Sequence, residues 1–220
     1  MKDVVLQSME FILSAANDYA LYNSSTTDEL LQEIHAHTVE NHAEPHMISG
    51  PLQGNFLAMM SRMIKPKRIL EIGSFTGYSA LCLAKGLAEN GILHTIEKRE
   101  ADAETAQNYF NRSAYKDQIE MHVGDAASLL PSIHEDWDLV FIDADKTGYL
   151  TYYLALIDGM KAGSFFIVDN VLFHGEVLKE NITGKSAKAI AAFNAYIRQD
   201  ERVEKVMLTV RDGLTILCKK

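Results

Sequence analysis

Five short apolar runs recur along the chain from residue 68 onward: RILEIG at 68–73, ILHTIE at 92–97, IEMHV at 119–123, DLVFID at 138–143 and SFFIVD at 164–169. Between them lie YSALCLAKGLAE, READAETAQNYFNRSA, a short segment after Gly124 and residues 149–160, all with helical spacing of apolar positions. Brief apolar strands alternating with helices predict a mostly parallel α/β sheet covered on both faces. A chain with this rhythm folds as a doubly wound, Rossmann-like layer structure.

Helical patterns precede the first strand. They cover residues 3–22, then TDELLQEIHAHTVE after cap residues Ser24 to Thr27, then LQGNFLAMMSRMI ending before Pro66. After a helix over 185–200, VEKVMLTV and LTILCK flank Arg211-Asp212-Gly213, where Asp-Gly signals a tight antiparallel hairpin. The expectation is one domain over residues 1–220. It comprises a helical cap at 1–65 and, at 66–220, a core whose seven-stranded sheet ends in an antiparallel hairpin. With 220 residues, 47% of them hydrophobic, the chain is large enough to bury such a core.

The formal charge of -9 argues against passive attraction to phosphate backbones or anionic membranes. No apolar run approaches the roughly 20 residues needed to cross a bilayer, and MKDVVLQSMEF lacks the pattern of a secretory signal. A cytoplasmic protein with no membrane partner is expected. Cys82 and Cys218 lie in apolar periodic segments and read as buried free thiols.

In a doubly wound sheet, ligands bind beyond the carboxyl ends of the strands. At the first such end, EIGSFTGYS (71–79) spaces its glycines as Gly73-x-x-x-Gly77, without the middle glycine of the dinucleotide fingerprint. Glu97 ends the next strand, where an acid can accept hydrogen bonds from ribose hydroxyls, so an adenosine site is expected and a pyrophosphate site is not. A plain strand-to-helix turn is the alternative for the glycine loop. Glu71 counts against it, because an acid inside an apolar strand needs a partner. Gly124-Asp125-Ala126 offers either an adenine edge or a helix N-cap.

The fourth and fifth strands end in Asp143 and Asp169, which neighbouring parallel strands would set about 5 Å apart. Carboxylates that close share a proton or a cation, and Asn170 adds an amide oxygen suited to Mg²⁺, Ca²⁺ or Mn²⁺. Neither a thiolate nor a histidine pair accompanies them, which disfavours zinc. Helix capping by these acids is the alternative, and it is the reading adopted for Asp145. Lys146 stands apart, since an amine beside a divalent ion is a usable base near neutral pH.

EIGSFTGYS, VGDA, FIDADKTGY, VDNVLFHG and the terminal RDGLTILCKK together resemble the cation-dependent O-methyltransferases. That family holds the catechol and caffeoyl-coenzyme A O-methyltransferases and many small bacterial relatives. The resemblance covers nearly the whole chain. It implies a class I methyltransferase fold and S-adenosylmethionine as methyl donor. It makes Asp143, Asp169 and Asn170 the metal ligands, with Lys146 as general base beside Asp143. Glu71, Gly73, Ser79, Glu97, Asp125, Ala126 and Asp143 match positions that hold the donor, with Met47 and Ser49 closing over it. By the same resemblance Glu71 faces a cationic ligand, the acceptor is a catechol-like aromatic hydroxyl compound, and the chain is a homodimer. Glu97 replaces the aspartate of many plant relatives, and Phe173 takes a place often held by tryptophan.

Three other functions are compatible with parts of this pattern. Methylation of a hydroxylated uridine in transfer RNA fits some bacterial relatives, with the acidic balance against it. An NAD-dependent dehydrogenase lacks its middle glycine and leaves the metal set unexplained, and a non-catalytic interaction module has no use for Lys146. His35, His37, His42 and His46 read as exposed residues beside a substrate entrance, and Met59, Met60 and Met63 as helix core or subunit contact.

Overall fold

The computed structural model describes residues 14–220. Three helices come first: α1 (Ser14–Tyr22), α2 (Glu29–Asn41) and α3 (Gly50–Ile64). The first thirteen residues, which carry most of the expected first helix, lie outside the described residues. Helix α2 is capped by Asp28, whose side chain accepts a hydrogen bond from the Leu31 N–H at 3.0 Å, rather than by Ser24 to Thr27. Such a cap contributes about 1 kcal/mol.

The core then alternates β1 (Arg68–Ile72), α4 (Tyr78–Ala84), β2 (Ile92–Glu97), α5 (Glu100–Arg112), β3 (Ile119–Val123), α6 (Ala126–Leu129), β4 (Leu139–Ile142), α7 (Tyr149–Ile157) and β5 (Phe165–Asp169). It closes with α8 (Lys185–Gln199), β6 (Val203–Leu208) and β7 (Leu214–Lys219). The strands form one seven-stranded sheet in the order β3-β2-β1-β4-β5-β7-β6. All pairs from β3 to β5 are parallel, whereas β7 runs antiparallel to both β5 and β6.

Period-two alternation divides the core between the faces. Ile69, Leu93, Phe141 and Ile167 pack with Leu57, Leu83 and Phe110 of the surrounding helices. Leu70, Val140, Ile142, Phe166 and Val168 pack on the other face with Tyr149, Tyr153 and Phe193. Each fully buried aliphatic or aromatic side chain contributes roughly 1.5–3 kcal/mol. Cys82 is buried and Cys218 half-buried, both as free thiols, and burial pushes the Cys82 thiol up to about 12.

Two expectations of detail need correction. Helix α4 stops at Ala84, short of the expected Glu89, because α3 crosses there: a Cβ on Gly86 would meet the Ser61 backbone at 2.1 Å, and the Ser61 hydroxyl donates to the Leu83 carbonyl. The β6–β7 connection is a five-residue turn, with Leu208 paired to Leu214, not a two-residue hairpin. Its extra residues carry Arg211 and Asp212 into the functional site.

Candidate active site

The strand order reverses between β1 and β4, and a cavity of about 540 Å³ opens beyond the carboxyl ends of the strands at that switch point. Met47, Ser49, Gly73, Ser79, Glu97, Asp125 and Ala126 line it. So do Asp143, Lys146, Asp169 and Asn170. Residues from five strand tips and from the segment between α2 and α3 thus meet in one place.

Gly73 turns away from β1 with φ +100, and a Cβ there would stand 1.9 Å from the carbonyl oxygen of Asp143. Only glycine lets the tips of β1 and β4 approach so closely. Beyond it, Phe75 adopts φ +50, and its N–H donates to Glu97 Oε2 at 2.7 Å while the Arg99 N–H donates to Oε1 at 2.9 Å. Glu97 is therefore held rigidly at the wall. Each of its oxygens retains acceptor capacity for a further hydroxyl.

Glu71 is placed differently from its expected position. It is completely buried behind the wall, not on it, and shares a face with Thr95, whose hydroxyl donates to Oε2 at 2.5 Å. Its Oε1 has no hydrogen-bond partner. Burial pushes the carboxyl up to about 7, against the pull of the Ser79 and Thr95 hydroxyls. Ser79, whose hydroxyl acts on this carboxyl, does line the cavity.

Asp143 and Asp169 leave the ends of adjacent strands as expected, and the Asp143 N–H continues the ladder to Ile72. Burial, reinforced by the charge of Asp143, raises the pKa of Asp169. Lys146 donates to Asp143 Oδ1 at 3.0 Å, to Asn170 Oδ1 at 2.7 Å and to the Tyr149 hydroxyl at 2.8 Å. Asn170 Nδ2 donates to Asp212 at 3.1 Å, which turns the amide oxygen toward Lys146. Two acids and an amide oxygen so oriented match the all-oxygen donor set of a hard divalent cation. Asp145 accepts from the Thr147 and Tyr152 hydroxyls at the start of the turn into α7 and also lines the cavity.

Gln53 and Arg211 escaped the sequence reading. Gln53 Nε2 donates to Asp169 Oδ2 at 2.6 Å, and Arg211 donates to Gln53 Oε1 at 2.8 Å. The same guanidinium grips the carbonyls of Ile48 and Ser49. An antiparallel β7 starts beside the end of β5, so the turn before it must lie at the carboxyl edge. Arg211-Asp212-Gly213 was visible as a turn, yet nothing local revealed where that turn would sit.

Of the four histidines, His37 and His46 are exposed as expected, whereas His35 and His42 are not. His46 is exposed at the cavity, but His42 is half-buried between Phe75 and Asp102, and His35 packs edge-on to Tyr78. They dock α2 onto the glycine loop. Of the methionines, Met60 packs on the core while Met59 and Met63 are exposed.

A model of the O-methyltransferase family matches residues 22–220. A catechol O-methyltransferase of Niastella koreensis is 33% identical over 74% of this chain and 76% of its own length. A caffeoyl-CoA O-methyltransferase of Populus kitakamiensis is 29% identical over 98% of both chains. The crystal structure of an O-methyltransferase from Bacillus cereus in complex with SAH superposes with a TM-score of 0.87 at 29% identity, covering 94% of this chain and 97% of that one. TomG from Streptomyces achromogenes, involved in tomaymycin synthesis and solved with SAM, gives 0.86 at 27% identity over 94% and 96%.

Proposed function

The chain belongs to the O-methyltransferase family, and from that premise we propose that it methylates one of two neighbouring hydroxyls on a catechol-like small molecule, using S-adenosylmethionine and a divalent cation, Mg²⁺ foremost. One observation carries the reading: the fixed carboxylate of Glu97 and the oxygen set of Asp143, Asp169 and Asn170 line the same cavity. The family match sets aside the dehydrogenase alternative.

The donor supplies an electrophilic methyl group. The chain's part is to hold and exclude: Glu97 accepts from the ribose hydroxyls, Asp125 and Ala126 border the adenine, and Met47 and Ser49 cover the remainder. Gly73 and Ser79 let the methionyl part approach the backbone, with Glu71 supporting Ser79 from behind. A divalent cation held by the oxygen set would supply Lewis-acid chemistry, acidifying a bound hydroxyl. Asp143, Asp169 and Asn170 would hold it, with Gln53 and Asp212 orienting two of the three. Lys146 accepts the proton as the oxygen attacks. Holding the reactants in line is worth on the order of 7 kcal/mol or more. Met59 and Met63 offer an apolar face to a second copy, which light scattering would detect.

The test is transfer of labelled methyl to catechols, hydroxycinnamoyl thioesters and bulk transfer RNA, with Mg²⁺ or with chelator. Transfer to a vicinal diol that chelator abolishes is expected. Transfer to RNA alone, or full activity in chelator, would overturn the acceptor or the cation respectively.

A further inference from the structure

On the outer side of the sheet, β2 and β3 carry a second set of ligating groups, away from the cavity wall. The parallel register pairs His94 with Glu120 and Ile96 with His122. His94, Glu120 and His122 therefore project from one face. His94 Nδ1 lies 3.0 Å from His122 Nε2 and 3.5 Å from Glu120 Oε2, and the three ligating atoms fall within 4.8 Å of one another.

Two ring nitrogens at that separation cannot both carry a proton, so at least one lone pair faces the gap between them. Burial lowers the pKa of both rings, with Glu120 opposing, so both are neutral near pH 7, as metal ligation requires. Trp137 stands edge-on to His94 at 5.3 Å and fixes its ring. Among the other charges nearby, Arg68 is paired with Glu135 at 2.9 Å. Glu120 is exposed, which leaves the remaining coordination positions open to solvent.

We propose that His94, Glu120 and His122 form a site for a borderline transition-metal ion, Zn²⁺ or Ni²⁺, distinct from the oxygen set at Asp143, Asp169 and Asn170. At a metal–nitrogen distance of about 2.0–2.1 Å, nitrogens 3.0 Å apart subtend an angle of roughly 90° at a shared ion. The tetrahedral angle needs the nitrogens to part to about 3.3 Å, by turning the imidazoles about their side-chain bonds. Imidazole nitrogens select Zn²⁺ and Ni²⁺ over the Mg²⁺ preferred by carboxylate and amide oxygens. Bound there, the ion cross-links β3, an edge strand, to β2. It thereby braces the strand whose tip carries Gly124 and Asp125 to the cavity. The proposal does not depend on the acceptor or cation assigned above.

The experiment titrates Zn²⁺ into the chelator-stripped full chain in excess Mg²⁺, following heat and melting temperature. One Zn²⁺ per chain and a raised melting temperature are expected. Because His94 is buried, its replacement risks the fold, so His122→Gln and Glu120→Gln are the decisive variants. Loss of a ligand should cost at least the roughly tenfold that loss of an outer-sphere partner costs. His122→Gln should also lose the melting shift while keeping Mg²⁺-supported methyl transfer. Asp169→Ala should retain the Zn²⁺ site. No Zn²⁺ uptake by the native chain, or equal uptake by His122→Gln, would overturn the proposal.

Discussion

The ammonium nitrogen of Lys146 lies 2.7 Å from Oδ1 of Asn170, an oxygen that Asp212 turns inward by engaging the other end of the amide. Lys146 also holds Asp143 Oδ1 at 3.0 Å. Lys146 and a cation at this site would therefore compete for the oxygens of two of the three candidate ligands. Lys146, the proposed base in its neutral form, is in its charged form the counter-ion that steadies Asp143.

Lys146→Ala should lower methyl transfer by about 10²- to 10⁴-fold, the range for losing a general base, and should tighten Mg²⁺ binding by removing the competing ammonium. Lys146→Arg keeps the charge without a removable proton, so it should lose transfer and gain no Mg²⁺ affinity. Calorimetry with Mg²⁺ beside a labelled-methyl assay separates the two effects. Undiminished transfer in Lys146→Ala would remove the base assignment.

Arg211 ties Gln53 and the Ile48–Ser49 carbonyls together, and through Gln53 it reaches Asp169. Hydrogen bonds to a charged group contribute about 1.5–3 kcal/mol, so Arg211→Ala should weaken SAH binding by about 10- to 100-fold. Gln53→Leu should weaken it less and weaken Mg²⁺ binding more. If both variants bound SAH as tightly as the native chain, the segment would close without this clamp.

Gly73→Ala tests the approach of the β1 and β4 tips. A methyl group there meets the Asp143 carbonyl at 1.9 Å in a backbone conformation that disfavours side chains. A loss of at least about 3 kcal/mol is expected, read as a several-degree fall in melting temperature. A native-like melting temperature would show that the two tips separate at little cost.

Burial lifts the Glu71 carboxyl from 4.5 to about 7, so across that window the folded chain binds more protons than the unfolded one. Stability against urea should fall as pH rises from 4.5 to about 7 and level off above it. Asp169, raised in the same direction, adds to the slope. Glu71→Gln should remove a share on the order of 3 kcal/mol. A slope unchanged in that variant would place its origin elsewhere.

Much of this molecule was legible locally. Apolar runs of strand length and helical spacing predicted five parallel strands in sequence, and the residues after each run marked the strand tips. From those tips came Glu97, Asp125, Asp143, Lys146, Asp169 and Asn170, which the structure gathers around one cavity. A strand's end is written in its own residues, so its tip can be found without knowing its neighbours.

What surrounds those residues was not written locally. Arg211 and Asp212 reach the site because β7 inserts antiparallel between β5 and β6, and Gln53 reaches Asp169 because α3 packs across the sheet's end. Glu71 belongs to the right strand but points behind the wall, a matter of which face its alternation presents. His94 and His122 meet only through the register of β2 on β3. The sequence by itself determined the strands, the helices and the chemistry at each tip, because those follow from side chains a few positions apart. Tertiary structure alone decided the partners, because strand order, register and helix crossing join residues that no local pattern connects.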